Sequence, residues 1–239
     1  MEKINLEHVS VYFENEKGNI VTAIDDISFS FIANKINVVV GYSGSGKSTL
    51  LKCITGTLVY EGKISFDDID IESLPIQKRS ISYMDQNINL YPHANVYENI
   101  LFPLKAMKMD HEAADQRVKE VAFRLGIDFL LTRKTKCLSM GQASRVSLAK
   151  ALVKDSDIYL FDEISKNLDP VVAEDISVLV KDYLVENNKT GIYVTHNIKE
   201  ATRIADYIYV LNEGKLVGVF TPKEFVKSDN EIIKSLLVE

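Results

Sequence analysis

Alternation of apolar and polar positions opens the chain. Residues Ile4-Asn5-Leu6-Glu7-His8-Val9-Ser10-Val11-Tyr12-Phe13 alternate closely enough for a strand. A turn through Asn15 to Asn19 leads to a second arm, Ile20 to Ile24, and on to Ile27 to Phe31. The pattern then changes. Ile36-Asn37-Val38-Val39-Val40 is a nearly continuous β-branched run, as expected of a strand buried on both faces of a parallel sheet. Ile158 to Phe161 and Gly191 to Val194 have the same character, Gly62 to Asp68 reads as a strand and turn, and Ile81 to Gln86 as a strand ending on a polar amide. From about Val96 to Lys154 the period is helical. Glu112 to Leu125 places Ala113, Val118, Val121, Ala122 and Leu125 on one stripe, with Gly126 as the stop. Ala205 to Leu211 and Lys215 to Phe220 flank the hairpin turn Asn212-Glu213-Gly214. Thr221-Pro222 then opens one last helix, from about Lys223 to Leu237. These periods predict an α/β fold in which a small antiparallel layer precedes a parallel core sheet and helices are inserted between core strands.

Composition adds limits. At 239 residues the chain holds one large domain or two small ones, and 46% hydrophobic with 26% charged residues is ordinary globular usage. A net charge of −6 speaks against a nucleic-acid-coating role. No apolar run approaches a membrane span, and Met1-Glu2-Lys3-Ile4-Asn5 lacks a signal peptide's apolar core. The two cysteines, Cys53 and Cys137, have neither metal spacing nor a disulfide framework, and Cys53 is expected in the core.

The chemistry centres on Gly41-Tyr42-Ser43-Gly44-Ser45-Gly46-Lys47-Ser48-Thr49, which reads G-x-x-x-x-G-K-S between a buried strand and a helix. In such a loop Gly41, Gly44 and Gly46 let the backbone approach an anion, and successive N–H groups point at phosphate oxygens. The positive end of the following helix adds to this. Lys47 would reach the β- and γ-phosphates and Ser48 would ligate Mg²⁺. Ile158-Tyr159-Leu160-Phe161-Asp162-Glu163 ends a strand in two carboxylates. Asp162 is expected to hold Mg²⁺ and Glu163 to polarise a water for in-line attack. His196 ends another buried strand, at the sheet edge where ligands bind. His8, His93 and His111 read as surface or packing residues. For Tyr12, adenine stacking and a plain cross-strand aromatic both stand open.

In this order the motifs resemble the nucleotide-binding subunit of ATP-binding cassette (ABC) transporters across essentially the whole chain. Leu138-Ser139-Met140-Gly141-Gln142 resembles the family's signature L-S-G-G-Q. Gln86 matches the Q-loop glutamine, Asn167-Leu168-Asp169 the D-loop, His196 the switch histidine and Tyr12 the adenine-stacking aromatic. The resemblance implies a P-loop NTPase core with a β subdomain (1–86 and 155–239) and a helical subdomain (87–154). It also implies two domains dimerising head to tail around ATP, with the phosphate loop of one facing the signature of the other. Carried over residue by residue, Glu163, His196 and Lys47 are the catalytic set. Tyr12, Gly41, Ser43, Gly44, Ser45, Gly46, Lys47, Ser48, Thr49, Gln86, Ser139, Gly141, Gln142 and Asp169 bind ATP, and Ser48, Gln86 and Asp162 serve Mg²⁺.

A finer resemblance lies in Leu74-Pro75-Ile76-Gln77-Lys78-Arg79, Leu90-Tyr91-Pro92-His93 and Glu98-Asn99-Ile100, which look like the importer branch for sugars, polyamines and ferric iron. Members of that branch usually carry a further C-terminal regulatory β domain, for which a chain stopping at Glu239 leaves no room. The expected partners are a second ATPase subunit (a homodimer ahead of a heterodimer), permease subunits and an extracytoplasmic substrate-binding protein, with no nucleic acid. The expected place is the cytoplasmic face of the membrane. The alternatives are an exporter or lipoprotein-release ATPase, a soluble cassette of DNA repair or translation, and the less active member of a heterodimeric pair. Three departures from the family pattern stand out: Met140 for the first signature glycine, Ile164 for the proline after Glu163, and Lys166 in the D-loop.

Overall fold

A computed structural model describes residues 2–14 and 18–238; Asn15 of the first turn, Glu239 and the side chain of Gln77 lie outside the described residues. Strands β1 (Glu2–Glu14) and β2 (Ile20–Ile32) form a long antiparallel ribbon. With β4 (Glu61–Phe66) and β5 (Ile69–Asp70) they make a four-stranded sheet in the order β2-β1-β4-β5. The second sheet has six strands: β3 (Ile36–Val40), β6 (Ile81–Met84), β7 (Ile158–Asp162), β8 (Thr190–Val194), β9 (Tyr207–Asn212) and β10 (Lys215–Phe220). Their order is β10-β9-β3-β8-β7-β6, parallel throughout except for β10.

Every residue of β3, β7 and β8 is buried, because both faces of this sheet are covered. The period of two splits each strand between two cores. Ile36, Val38, Val40, Tyr159, Phe161 and Tyr193 face one, which also holds the buried sides of α2 (Val96–Ala106), α3 (His111–Arg124), α4 (Met140–Leu152) and α5 (Pro170–Glu186). Val39, Ile158, Leu160, Ile192 and Val194 face the other, filled by α1 (Lys47–Thr55) and the antiparallel sheet. Asp162 continues the series Ile158, Leu160 and so emerges on the α1 side.

Parallel strands run out at one edge. The register of Met84 with Phe161, Asp162 with Val194 and Val39 with Val194 brings the ends of β6, β7, β8 and β3 level there. β3 lies between β8 and β9, both far later in sequence, and chain reversals of this kind open a crevice at the carboxyl edge.

The α/β class and its antiparallel and helical additions are as expected; four details differ. The buried stripe of α3 runs through Ala114, Val118, Val121, Ala122 and Leu125, and Ala113 is exposed. Ala114 precedes Val118 by four residues and so shares its face, whereas Ala113 is rotated away. The last helix is two, α7 (Pro222–Val226) and α8 (Glu231–Val238). Asn230 Oδ1 accepts from the Ile232 N–H at 2.9 Å and starts α8 afresh. Phe225 and Ile233 are both fully buried across the break. Burying each contributes about 1.5–3 kcal/mol. Strand β6 stops at Met84, two residues before Gln86, and β1 runs one residue past Phe13, so that Tyr12 lies within it. The hairpin has the expected chemistry: Glu213 and Gly214 link the Asn212–Lys215 pair at φ 49° and 76°. Among the described residues no helix is long and apolar enough to cross a membrane.

Candidate nucleotide site

The loop from Gly41 to Gly46 leaves β3 and enters α1 at Lys47, pressed between the two sheets. At Gly46, with φ 100°, a Cβ would come 2.5 Å from the Ala23 carbonyl oxygen of β2. At Gly41 it would come 2.1 Å from that of Leu211 in β9. Only a bare backbone passes there. Lys47 is buried, and its Nζ donates to the carbonyls of Gly41 and Tyr42, at 2.8 Å each. Burial lowers its pKa, against the pull of the Glu163 and Asp162 charges. Ser43 and Gly44 are exposed, while Ser45 is buried with its Oγ lacking a hydrogen-bond partner, and Thr49 is half-buried on the first turn of α1.

Ser48 Oγ donates to Asp162 Oδ1 at 2.9 Å, and Tyr83 OH donates to Oδ2 at 3.3 Å. Burial raises the Asp162 pKa while both hydrogen bonds hold it down, with a net rise. This all-oxygen donor set fits a hard divalent cation such as Mg²⁺, which Ser48 and Asp162 would hold together with further oxygen ligands. Among the described residues no group of three or more His, Cys, Asp or Glu side chains could hold a metal by itself.

Glu163 leaves the strand direction at φ 47° while its N–H still donates to Val194 O at 3.0 Å. Its carboxylate meets one ammonium and one imidazole. Lys166 Nζ is 2.5 Å from Oε2, and His196 Nδ1 is 3.7 Å from Oε1. Burial pushes the Glu163 carboxyl up, but Lys166, His196 and Lys47 outweigh it and hold it below its ordinary value. Lys47, Ser48, Asp162, Glu163 and His196 thus converge at one sheet edge.

Other predicted residues stand apart. Gln86 is half-buried on the loop leaving β6, beyond the last ladder pair of Met84 with Phe161. Tyr12 pairs with Thr22, beside the Ala23 carbonyl that touches Gly46, and its side chain is half exposed. Ser139, Gly141 and Gln142 lie at the N-terminus of α4. Ser139 Oγ accepts from the Gln142 N–H at 3.3 Å, and Gln142 Oε1 accepts from the Ser139 N–H at 3.2 Å. A Cβ on Gly141 would come 3.1 Å from Val172 of α5. Among the described residues this group contacts itself and α5, not the loop around Lys47. The capped serine keeps its own proton free to donate outward. Asp169 caps α5, accepting from the Val171 N–H at 2.9 Å.

Two contributors were not assigned a role from sequence. Tyr83 gave no signal beyond its place on a strand. Lys166 gave one, since residues three apart across a turn can meet, and it falls three after Glu163. Deeper, the buried Glu200 accepts from Tyr193 OH at 2.8 Å, Thr195 Oγ1 at 2.6 Å and Ser165 Oγ at 2.9 Å, tying the segment after Glu163 to the strand before His196.

Known proteins are similar to this chain in sequence and fold. Residues 24–166 match the family described as ABC transporter. The molybdate/tungstate import ATP-binding protein WtpC of Pyrococcus abyssi is 38% identical over 200 residues, covering 83% of this chain and 58% of that protein. The oligosaccharides import ATP-binding protein MsmX of Bacillus subtilis is 34% identical over 225 residues, covering 94% and 60%. The chain thus spans about three fifths of the length of these curated relatives. Among solved structures, cbiO1 of Clostridium perfringens, part of the transporter complex cbiONQ, superposes with a TM-score of 0.85 at 28% identity, covering 100% of this chain and 96% of that one. The dimeric cassette MJ0796, bound to ADP and phosphate in a post-hydrolysis state, gives 0.81 at 28% identity, covering 92% and 98%.

Proposed function

On the premise that the chain belongs to the ABC transporter family, we propose that it binds and hydrolyses ATP to energise a membrane importer. The observation that carries this reading is the meeting of Lys47, Ser48, Asp162, Glu163 and His196 at one sheet edge.

The loop N–H groups and the start of α1 receive the phosphates, and Tyr12 receives the adenine. Lys47 offsets charge that develops on the transferring phosphoryl group. Ser48 and Asp162, with Gln86 nearby, hold Mg²⁺, which when bound neutralises phosphate charge. Glu163 takes the proton of the attacking water, and His196 orients that water and the γ-phosphate. Ser139, Gly141 and Gln142 do not reach this edge within one chain, which supports a site completed by a second copy. There the Ser139 hydroxyl and the N-terminus of α4 meet the γ-phosphate. Binding then closes the pair and product release opens it. Residues 87–154 form the arm that carries the signature, and 1–86 with 155–239 the core that carries the loop.

The named relatives act in import, which supports an importer with permease subunits and an extracytoplasmic binding protein on the other side of the membrane. A second reading, pairing with a different ATPase subunit, rests on Met140, whose side chain is 60% exposed beside Ser139.

The test is ATP turnover by Glu163→Gln. A fall of about 100-fold or more with nucleotide binding retained is expected. Turnover equal to the parent removes Glu163 as the base.

A further inference from the structure

Between Glu163 and Leu168 the chain makes two consecutive turns, closed by Lys166 N–H to Glu163 O at 3.0 Å and Leu168 N–H to Ser165 O at 3.2 Å. Glu163 and Asn167 sit in the left-handed region, at φ 47° and 67°, so the segment is tightly folded rather than extended. Two side chains fix it. Ser165 Oγ donates to Glu200, a carboxylate only 2% exposed and already held by Tyr193 and Thr195. Lys166, its backbone thereby anchored, reaches back across the turn to Glu163 Oε2.

The two Glu163 oxygens are therefore unlike. Oε2 has no solvent exposure, and the ammonium of Lys166 lies against it. Oε1 faces His196 Nδ1 at 3.7 Å. The Glu163 side chain is 12% exposed, so little solvent is available to hold it if the ammonium is lost. A base that must abstract one proton along one line gains from having a single oxygen presented and its rotation stopped.

We infer that Lys166 is a positioning residue for the reaction: anchored through Ser165 on Glu200, it holds Glu163 Oε2 and thereby presents Oε1 to the attacking water. The inference rests on Glu163 being the base.

Steady-state ATP turnover of the full chain carrying Lys166→Met, Lys166→Arg or Glu163→Gln tests it, with thermal melting and the Kd of a fluorescent ATP analogue measured alongside. Lys166→Met lowers kcat by roughly 10- to 100-fold, while KM for ATP and the analogue Kd stay within about twofold. Lys166→Arg restores at least about half of the parental kcat, because a guanidinium spans the same turn. An unchanged or raised kcat in Lys166→Met overturns the inference. So does a loss that Lys166→Arg does not relieve, or one that tracks a fall in melting temperature. If Glu163→Gln is inactive and Lys166→Met is not impaired, only the role of Lys166 fails. If Glu163→Gln turns over like the parent, the base assignment itself fails.

Discussion

Ser48 Oγ donates a 2.9 Å hydrogen bond to Asp162 Oδ1 across 114 residues of sequence. The contact joins the first turn of α1 to the end of β7 and places two side-chain oxygens together where the loop from Gly41 to Gly46 enters the helix. Its origin is simple: β3 and β7 are parallel strands of one sheet, and the period of two turns Asp162 toward α1.

Replacing Asp162 by Asn keeps the shape of this contact and removes a charge. Hydrolysis by Asp162→Asn is expected to need at least about tenfold more Mg²⁺, and chelation by EDTA abolishes turnover in the parent. Burial raises the Asp162 pKa, so at neutral pH its ionised form destabilises the free protein. The sign follows: the variant without nucleotide melts no lower than the parent. A Mg²⁺ titration and a melting curve check the two halves.

The adenine contact proposed for Tyr12 is testable apart from the phosphate chemistry. Tyr12→Ala is expected to weaken ATP binding by about tenfold, and Tyr12→Phe to retain it, since a stacked base contributes roughly 1–3 kcal/mol whatever the ring's hydroxyl does. Calorimetric titration with ATP distinguishes this from a cross-strand packing role, in which affinity is unchanged.

Gly46 meets a steric limit as well as a conformational one. A Cβ would lie 2.5 Å from a backbone oxygen at φ 100°, so Gly46→Ala must shift β2 or the loop. Urea unfolding is expected to show a loss of roughly 2–4 kcal/mol, with nucleotide binding lost as well.

The two thiols should separate cleanly. Cys53 is buried on α1, and burial pushes its pKa up to about 12, whereas Cys137 is exposed. Disulfide-exchange titration of the native protein at pH 8 is expected to give one fast equivalent, and the second only on unfolding.

Much of this site can be read from local pattern because each motif sits at a strand end. Gly41 to Ser48 and Ile158 to Glu163 declare themselves through a buried run followed by polar chemistry, and a parallel sheet brings such ends to one edge. What escaped has a physical reason too. Tyr83 reaches Asp162 only because β6 is in register with β7, and strand order is not encoded locally. The Glu200 network needs Ser165, Tyr193 and Thr195 from different elements. Ala113 and Ala114 differ by one helical step, which an apolar count does not resolve. The break between α7 and α8 comes from Asn230 competing for the backbone, a local cue that the apolar period from Phe225 to Leu237 masks.

In the proposed function the edge built by Lys47, Asp162, Glu163 and His196 is half of an ATP site, completed by Ser139 of a second copy. Sedimentation of Glu163→Gln with and without Mg-ATP tests it most directly, because slowed hydrolysis lets the closed pair accumulate. A monomer without nucleotide that becomes a dimer with ATP, and stays a monomer when Ser139→Arg is added, is the predicted result. A protein that binds ATP yet sediments as a monomer throughout contradicts the claim.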